Sequence, residues 1–162
     1  MPGAGKSTLG VQLAKCLGLD FVDTDLLIQS QQGEQLQSIL DTKGYQALRD
    51  IEEQVLLNIR LSNTLIATGG SAVYSAKAMQ HLKSLGVVVF LEVGLTALQS
   101  RVNGEGNNEA SRGIARPEGQ SFADVFAERS PLYQRYADVT YNNEHTTNIN
   151  DLVEMITPLI HK

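Results

Sequence analysis

Cysteine is almost absent from this chain: Cys16 is the single one in 162 residues, so no disulfide can form within it. It falls in the helical pattern Leu9, Leu13, Cys16, Leu17, where a buried, inert thiol is the expectation. No apolar run approaches the ~20 residues that a membrane-spanning helix needs, and no signal-peptide pattern opens the sequence. A reducing, cytoplasmic setting is expected from both absences. Bases are the minority charge, 13 against 18 acids, for a formal net charge of −5. That balance argues against a nucleic-acid or anionic-membrane partner, which would want a basic field. Any phosphate-handling site must therefore be built locally from a few arginines and lysines. Histidine is scarce and scattered: His81, His145 and His161 show no metal-ligand spacing and read as solvated surface residues.

Repeats, low-complexity tracts and linkers are also missing, so the length implies one compact domain over residues 1–162. What is present alternates. Residues 7–17 read as a helix closed by Gly18, and 21–23 as a short strand. Helical stretches follow over 25–31 and 35–42. Residues 45–61 form an amphipathic helix with Leu48, Ile51, Val55 and Ile59 on one face. A strand over 64–68 runs into Gly69-Gly70, and a helix over 76–85 ends at Gly86. The apolar, β-branched run 87–91 reads as a buried parallel strand. A short helix over 96–102 precedes a polar, glycine-containing loop over 103–120. Residues 121–136 read as helical with a break near Pro131, 139–141 as a last strand, and 149–160 as a closing helix. Such alternation implies a parallel sheet with helices on both faces, and ligands beyond the strands' C-terminal ends. Asp23, Gly69 and Glu92 all fall near such ends.

Chemistry is concentrated at the start. Met1-Pro2-Gly3-Ala4-Gly5-Lys6-Ser7-Thr8 carries all of the G-x-x-x-x-G-K-[ST] phosphate-loop pattern except its leading glycine. Gly3, Ala4 and Gly5 would turn backbone N–H groups around phosphate oxygens. Lys6 would reach the β- and γ-phosphates, while Ser7 would ligate Mg²⁺ at a helix start whose positive end faces the anion. The competing reading is a flexible glycine-rich terminus, which a helix beginning at Ser7 disfavours. Asp23-Thr24-Asp25 follows the next strand, although an Asp-x-Asp pair at a helix start is common in itself. Arg49 and Glu53 would by themselves suit an i,i+4 surface ion pair.

From the phosphate loop through Asp23-Thr24-Asp25, Leu48-Arg49-Asp50-Ile51-Glu52-Glu53, Gly69-Gly70-Ser71, Arg112 and Pro131-Leu132-Tyr133-Gln134-Arg135, the chain resembles the shikimate kinase family over nearly its whole length. The resemblance implies transfer of the γ-phosphoryl group of ATP to a hydroxyl of shikimate. It implies that Lys6, Ser7 and Thr8 hold triphosphate and magnesium, with Asp23 reaching the metal. Asp25 would orient and deprotonate the acceptor hydroxyl. Arg49 and Arg135 would clamp a substrate carboxylate, Gly69 and Gly70 would bring backbone amides to the ring, and Arg101 would lie against adenine. Arg112, on a lid over about 103–120, would close on the transferring phosphate.

Departures from the family pattern cluster around the acceptor: Ser71 for a third glycine, Gly113 for a proline, Leu48 for an aromatic residue, and Gln29 for a glutamate. Leu40 would form part of an apolar wall. Two alternatives therefore stand beside the main reading: a P-loop kinase for another sugar acid, and a nucleotide-binding homologue with impaired catalysis. An Asn-Lys-x-Asp guanine-reading segment is missing, which disfavours a switch GTPase. The implied fold is a three-layer α/β/α P-loop kinase with a parallel sheet in the order 2-3-1-4-5. Its first strand is expected to be absent, because nothing before Met1 supplies it, and the neighbouring strands would then face a gap. With that strand the chain is expected to be a monomer; as numbered, the gap invites strand exchange between copies.

Overall fold

The computed structural model describes residues 1–104, 113–144 and 148–160. Helix α1 (Lys6–Leu17) leads into β1 (Asp20–Asp23), α2 (Thr24–Gln32), α3 (Leu36–Leu57) and β2 (Thr64–Ala67). A 3₁₀ turn (Ala72–Tyr74) then precedes α4 (Ala76–Leu85), β3 (Val89–Glu92), α5 (Leu95–Val102), α6 (Phe122–Tyr136), β4 (Val139–Asn142) and α7 (Ile149–Ile160). All pairing is parallel. β1 lies beside β2, with Asp20 opposite Thr64 and Asp23 opposite Ala67. β3 lies beside β4, with Val89 opposite Val139 and Glu92 opposite Asn142. Among the described residues these are two separate pairs, and they match the 2-3 and 4-5 neighbours of the expected order.

Helices cover both faces of the strands, and the period-2 alternation of β2 shows it. Leu65 packs with Leu9, Leu13, Leu152 and Ile156 of α1 and α7. Its neighbour Ile66 packs with Leu56, Met79 and Leu82 of α3 and α4. Each fully buried Leu or Ile contributes about 1.5–3 kcal/mol, whereas an exposed ion pair contributes about 0–1 kcal/mol. These packed layers therefore hold the fold far more than Lys43–Glu34 or Lys83–Asp138 on the surface.

Two expected helices, over 35–42 and 45–61, are one continuous span broken by non-helical backbone at Gly44 (φ 83°, ψ 169°), and the second ends at Leu57. The break expected near Pro131 does not occur, and α6 runs straight through it. Proline removes one N–H and crowds the preceding turn, where the Ser130 hydroxyl donates to the Phe126 carbonyl at 2.6 Å. Cys16 is exposed rather than buried. The buried face of α1 is Leu9, Gly10, Leu13 and Ala14, and at about 100° per residue Cys16 falls on its rim near the helix end. His81 is half-buried, with Nε2 3.0 Å from the Ile59 carbonyl and 3.1 Å from Arg60 Nη1. His145 and His161 lie outside the described residues.

Candidate active site

One cavity of about 410 Å³ opens where α1 begins and β1 and β2 end. Gly3 and Gly5 adopt φ of 81° and 85°, backbone that L side chains rarely take, and they turn the chain into the helix at Lys6. Gly3, Gly5, Lys6, Ser7 and Thr8 line the cavity, while Ala4 is buried behind it. The Ala4 carbonyl accepts from Asn143 Nδ2 at 2.8 Å. Arg101 also lines the cavity; its guanidinium donates to the carbonyls of Gly3 at 3.4 Å, Asn143 at 2.8 Å and Glu144 at 2.9 Å. It thereby ties the phosphate loop to the segment after β4.

Lys6 donates Nζ to the Met1 carbonyl at 3.0 Å. Burial lowers its pKa from the usual lysine value, and Arg129 adds to that, while Asp25, Asp23 and Glu52 oppose it. Asp23 caps α2, accepting from the Asp25 backbone N–H at 2.9 Å, and it accepts from the Ser7 hydroxyl at 2.5 Å. Ser7 and Asp23 thus already stand together at the mouth of the cradle as an all-oxygen pair. That donor set fits a hard cation such as Mg²⁺, which takes few protein ligands beside phosphate oxygens and water. Asp25 is half-buried in the cavity; desolvation raises its pKa, Lys6 opposes the rise and Asp23 adds to it. Thr24, fully buried between the two acids, accepts the Gly69 N–H at 3.1 Å and so docks the glycine turn onto the start of α2.

Gly69 and Gly70 line the cavity at close quarters. A Cβ on Gly69 would stand 2.2 Å from Glu52 Oε1 and 2.7 Å from Asp25 Oδ1, and one on Gly70 would stand 2.9 Å from Arg129 Nη1. The Tyr133 hydroxyl donates to the Gly70 carbonyl at 2.7 Å. Burial pushes the Tyr133 pKa up to about 12, so it stays a donor.

Arg129 and Glu52 were missed by sequence reasoning. Arg129 is 1% exposed and lines the cavity; Glu52 is 3% exposed and lines it too. Arg135, expected there, is exposed and outside the cavity, its guanidinium 5.7 Å from the Tyr136 ring centre. The reason is the unbroken α6: Phe122, Val125 and Arg129 share its buried face, and Arg135 lies about 120° round from Arg129. Spacing from Phe122 at i+3 and i+7 was the available signal. Arg49 does not form the surface pair with Glu53. It lines a second cavity, of about 310 Å³, which shares Glu52 and Ser71 with the first. Arg49 Nη2 donates to the Ala115 carbonyl at 3.1 Å, and Arg129 Nη2 donates to the same oxygen at 2.8 Å.

Glu52 accepts from the Ser71 hydroxyl, and its Oε1 is buried without a hydrogen-bond partner among the described residues. Burial pushes its pKa up to about 7, with Ser71, Arg129 and Lys6 pulling down and Asp25 pushing up. Of the residues departing from the family pattern, Leu48 and Gly113 line the first cavity, together with Ile28 and Leu36; Leu40 packs behind them. Gly113 has φ 59°, and a Cβ there would meet Leu36 Cβ at 2.7 Å, so proline, fixed near −65°, is excluded from this backbone. Arg112, the expected lid arginine, lies outside the described residues.

A glycine cradle opening a helix that packs on parallel strands, with a lysine, two aspartates and a buried arginine around one cavity, defines a P-loop small-molecule kinase. The family profile described as "Shikimate kinase" matches residues 2–159. Shikimate kinase of Pasteurella multocida is 32% identical over 159 residues, covering 94% of this chain and 90% of that protein. Shikimate kinase of Xanthomonas campestris is 34% identical, covering 97% and 87%. Among solved structures, shikimate kinase from Acinetobacter baumannii in complex with shikimate superposes with a TM-score of 0.80 at 29% identity, covering 96% of this chain and 86% of that one. The Aquifex aeolicus enzyme gives a TM-score of 0.76 at 27% identity, covering 96% and 89%. The chain belongs to the shikimate kinase family.

Proposed function

We propose that this chain transfers the γ-phosphoryl group of ATP to a hydroxyl of shikimate, giving 3-phosphoshikimate and ADP. The observation that carries the reading is that one cavity holds both the phosphate cradle and the acceptor groups Asp25, Gly69, Gly70 and Arg129. The acceptor oxygen forms a bond to the γ-phosphorus, the bond to the β,γ-bridging oxygen breaks, and the hydroxyl proton passes to the Asp25 carboxylate. Burial suits Asp25 to this task because it makes the carboxylate more basic. Backbone N–H groups of Gly3, Ala4 and Gly5, with Lys6 and Thr8, hold the triphosphate, and Arg101 lies against the adenine. Ser7 and Asp23 hold Mg²⁺, which when bound neutralises charge on the transferring group. Arg129, with Arg49, takes the acceptor carboxylate; planar guanidinium forks suit that group better than lysine does. Arg129 replaces Arg135 in this role because Arg135 faces solvent. The acceptor ring lies against the Gly69-Gly70 backbone, and the family resemblance assigns Arg112 to the transferring phosphate.

No helix among the described residues is long and apolar enough to cross a membrane. Together with the single cysteine, this supports a reaction in the reducing cytoplasm. The test is coupled ADP release with MgATP and shikimate, against a panel of other hydroxy acids and sugar acids. Saturable release with shikimate alone is the expected result. The Ser71–Glu52 contact in the acceptor wall favours one second reading, a different hydroxy acid, and preferred turnover of another panel member would establish it.

A further inference from the structure

Tyr74 ends the 3₁₀ turn that follows Gly69-Gly70-Ser71, and it meets both arginines. Its ring centre lies 3.7 Å from Arg49 Cζ and 5.2 Å from Arg129 Cζ. Its hydroxyl oxygen accepts from Arg129 Nε at 3.3 Å. Tyr45, one turn before Arg49 on α3, also meets that guanidinium, its ring centre 5.1 Å from Arg49 Cζ. Both arginines then end on a single oxygen, the Ala115 carbonyl. Two like charges converging on one neutral atom repel, and a π face is the means of holding them close without consuming their N–H donors in an ion pair. Arg49 Nε, buried and without a partner among the described residues, shows that stacking rather than a full set of hydrogen bonds fixes this side chain.

We propose that Tyr74 is a positioning residue for acceptor binding: its ring face holds the Arg49 and Arg129 guanidinium groups side by side, so that both face one carboxylate. This rests on the carboxylate-acceptor reading above. Tyr74 itself touches no reacting atom and lies outside the lining of the cavity that holds the phosphate cradle.

The test is steady-state kinetics of Tyr74→Phe and Tyr74→Leu, each also in an Arg49→Ala background, with thermal melts alongside. Tyr74→Leu is expected to raise the acceptor KM by roughly 10- to 30-fold with the ATP KM unchanged, the range for a desolvated cation–π contact. Tyr74→Phe, which keeps the ring, should stay within about 3-fold of wild type. In the Arg49→Ala background Tyr74→Leu should add much less, because its main route of action is gone. If Tyr74→Leu melts early, Tyr74→Met fills a similar volume without a π face and carries the same expectation. Equal damage from Phe and Leu, a matching rise in the ATP KM, or full additivity with Arg49→Ala overturns the proposal. A wild-type chain that ignores shikimate sinks the shikimate reading alone. The Tyr74 series is then scored with whichever hydroxy acid supports ADP release.

Discussion

The Ser71 hydroxyl donates to the Glu52 carboxylate, and the two side chains together form the wall shared by the two cavities. Glu52 is held there with a pKa of about 7 against an ordinary 4.5, burial being the main cause. The folded chain therefore binds this proton more tightly than the unfolded chain does, and stability falls as pH rises from about 4.5 to about 7, then levels off. Relative to Glu52→Gln, wild type should lose roughly 2–3 kcal/mol between pH 5 and pH 8. Urea melts of both proteins across that range measure it; parallel stability curves would mean that Glu52 is ionised throughout. Ser71→Ala removes a contact that pulls the Glu52 pKa down, so the wild-type slope should extend to higher pH.

Lys6 and Asp25 line the same cavity and should fail differently. Lys6→Ala is expected to abolish tight ATP binding and turnover together. Asp25→Asn should bind ATP normally and lose turnover by roughly 10²-fold or more, the usual scale for a positioned base. Calorimetric ATP titration beside coupled ADP release separates the two. Normal turnover by Asp25→Asn would remove it from the reaction.

The two arginines of α6 provide an internal control. Arg129→Ala should raise the acceptor KM by roughly 10- to 100-fold, since a hydrogen bond to a charged group contributes about 1.5–3 kcal/mol. Arg135→Ala, on the solvent side, should change the acceptor KM by less than about 2-fold. The reverse ranking would return the carboxylate to Arg135.

Gly69→Ala places a methyl group 2.2 Å from Glu52 Oε1 and 2.7 Å from Asp25 Oδ1. Both acids must shift, so turnover is expected to fall by roughly 10²-fold or more while ATP binding persists. Gly86→Ala, with no atom within 4 Å of its added carbon and an extended φ of 173°, is the surface control. Retained activity in Gly69→Ala would mean that the glycine turn stands farther from both acids.

Much of this arrangement was legible in the sequence because local signals and packing agree. Helix α4 starts and stops where expected, Ser75 capping the Ala78 N–H and Gly86 ending the turn. The phosphate loop was legible because its glycines and lysine act through local backbone geometry. The failures came where one local rule was set against a longer pattern. Proline was read as a break, yet the buried stripe of α6 continues through Pro131 and brings Arg129, not Arg135, into the cavity. Cys16 was assigned to a stripe by apolar neighbours, although its angle places it at the rim. The convergence of Arg49, Arg129 and Tyr74 involves three elements distant in the chain, and no spacing in the sequence carries it.

The Ala115 carbonyl has a consequence for how the site fills. On the carboxylate-acceptor reading, the oxygen shared by Arg49 and Arg129 is a neutral surrogate in the seat proposed for the anion. Loading would then be a swap, in which a full negative charge evicts a peptide dipole, rather than entry into a vacant clamp. The evicted carbonyl belongs to the same short stretch as Gly113, whose φ of 59° lets the chain fold back there. Acceptor affinity would therefore depend on the compliance of that stretch as well as on the arginines. A stiffer backbone at Gly113 would then weaken acceptor binding with both arginines unchanged.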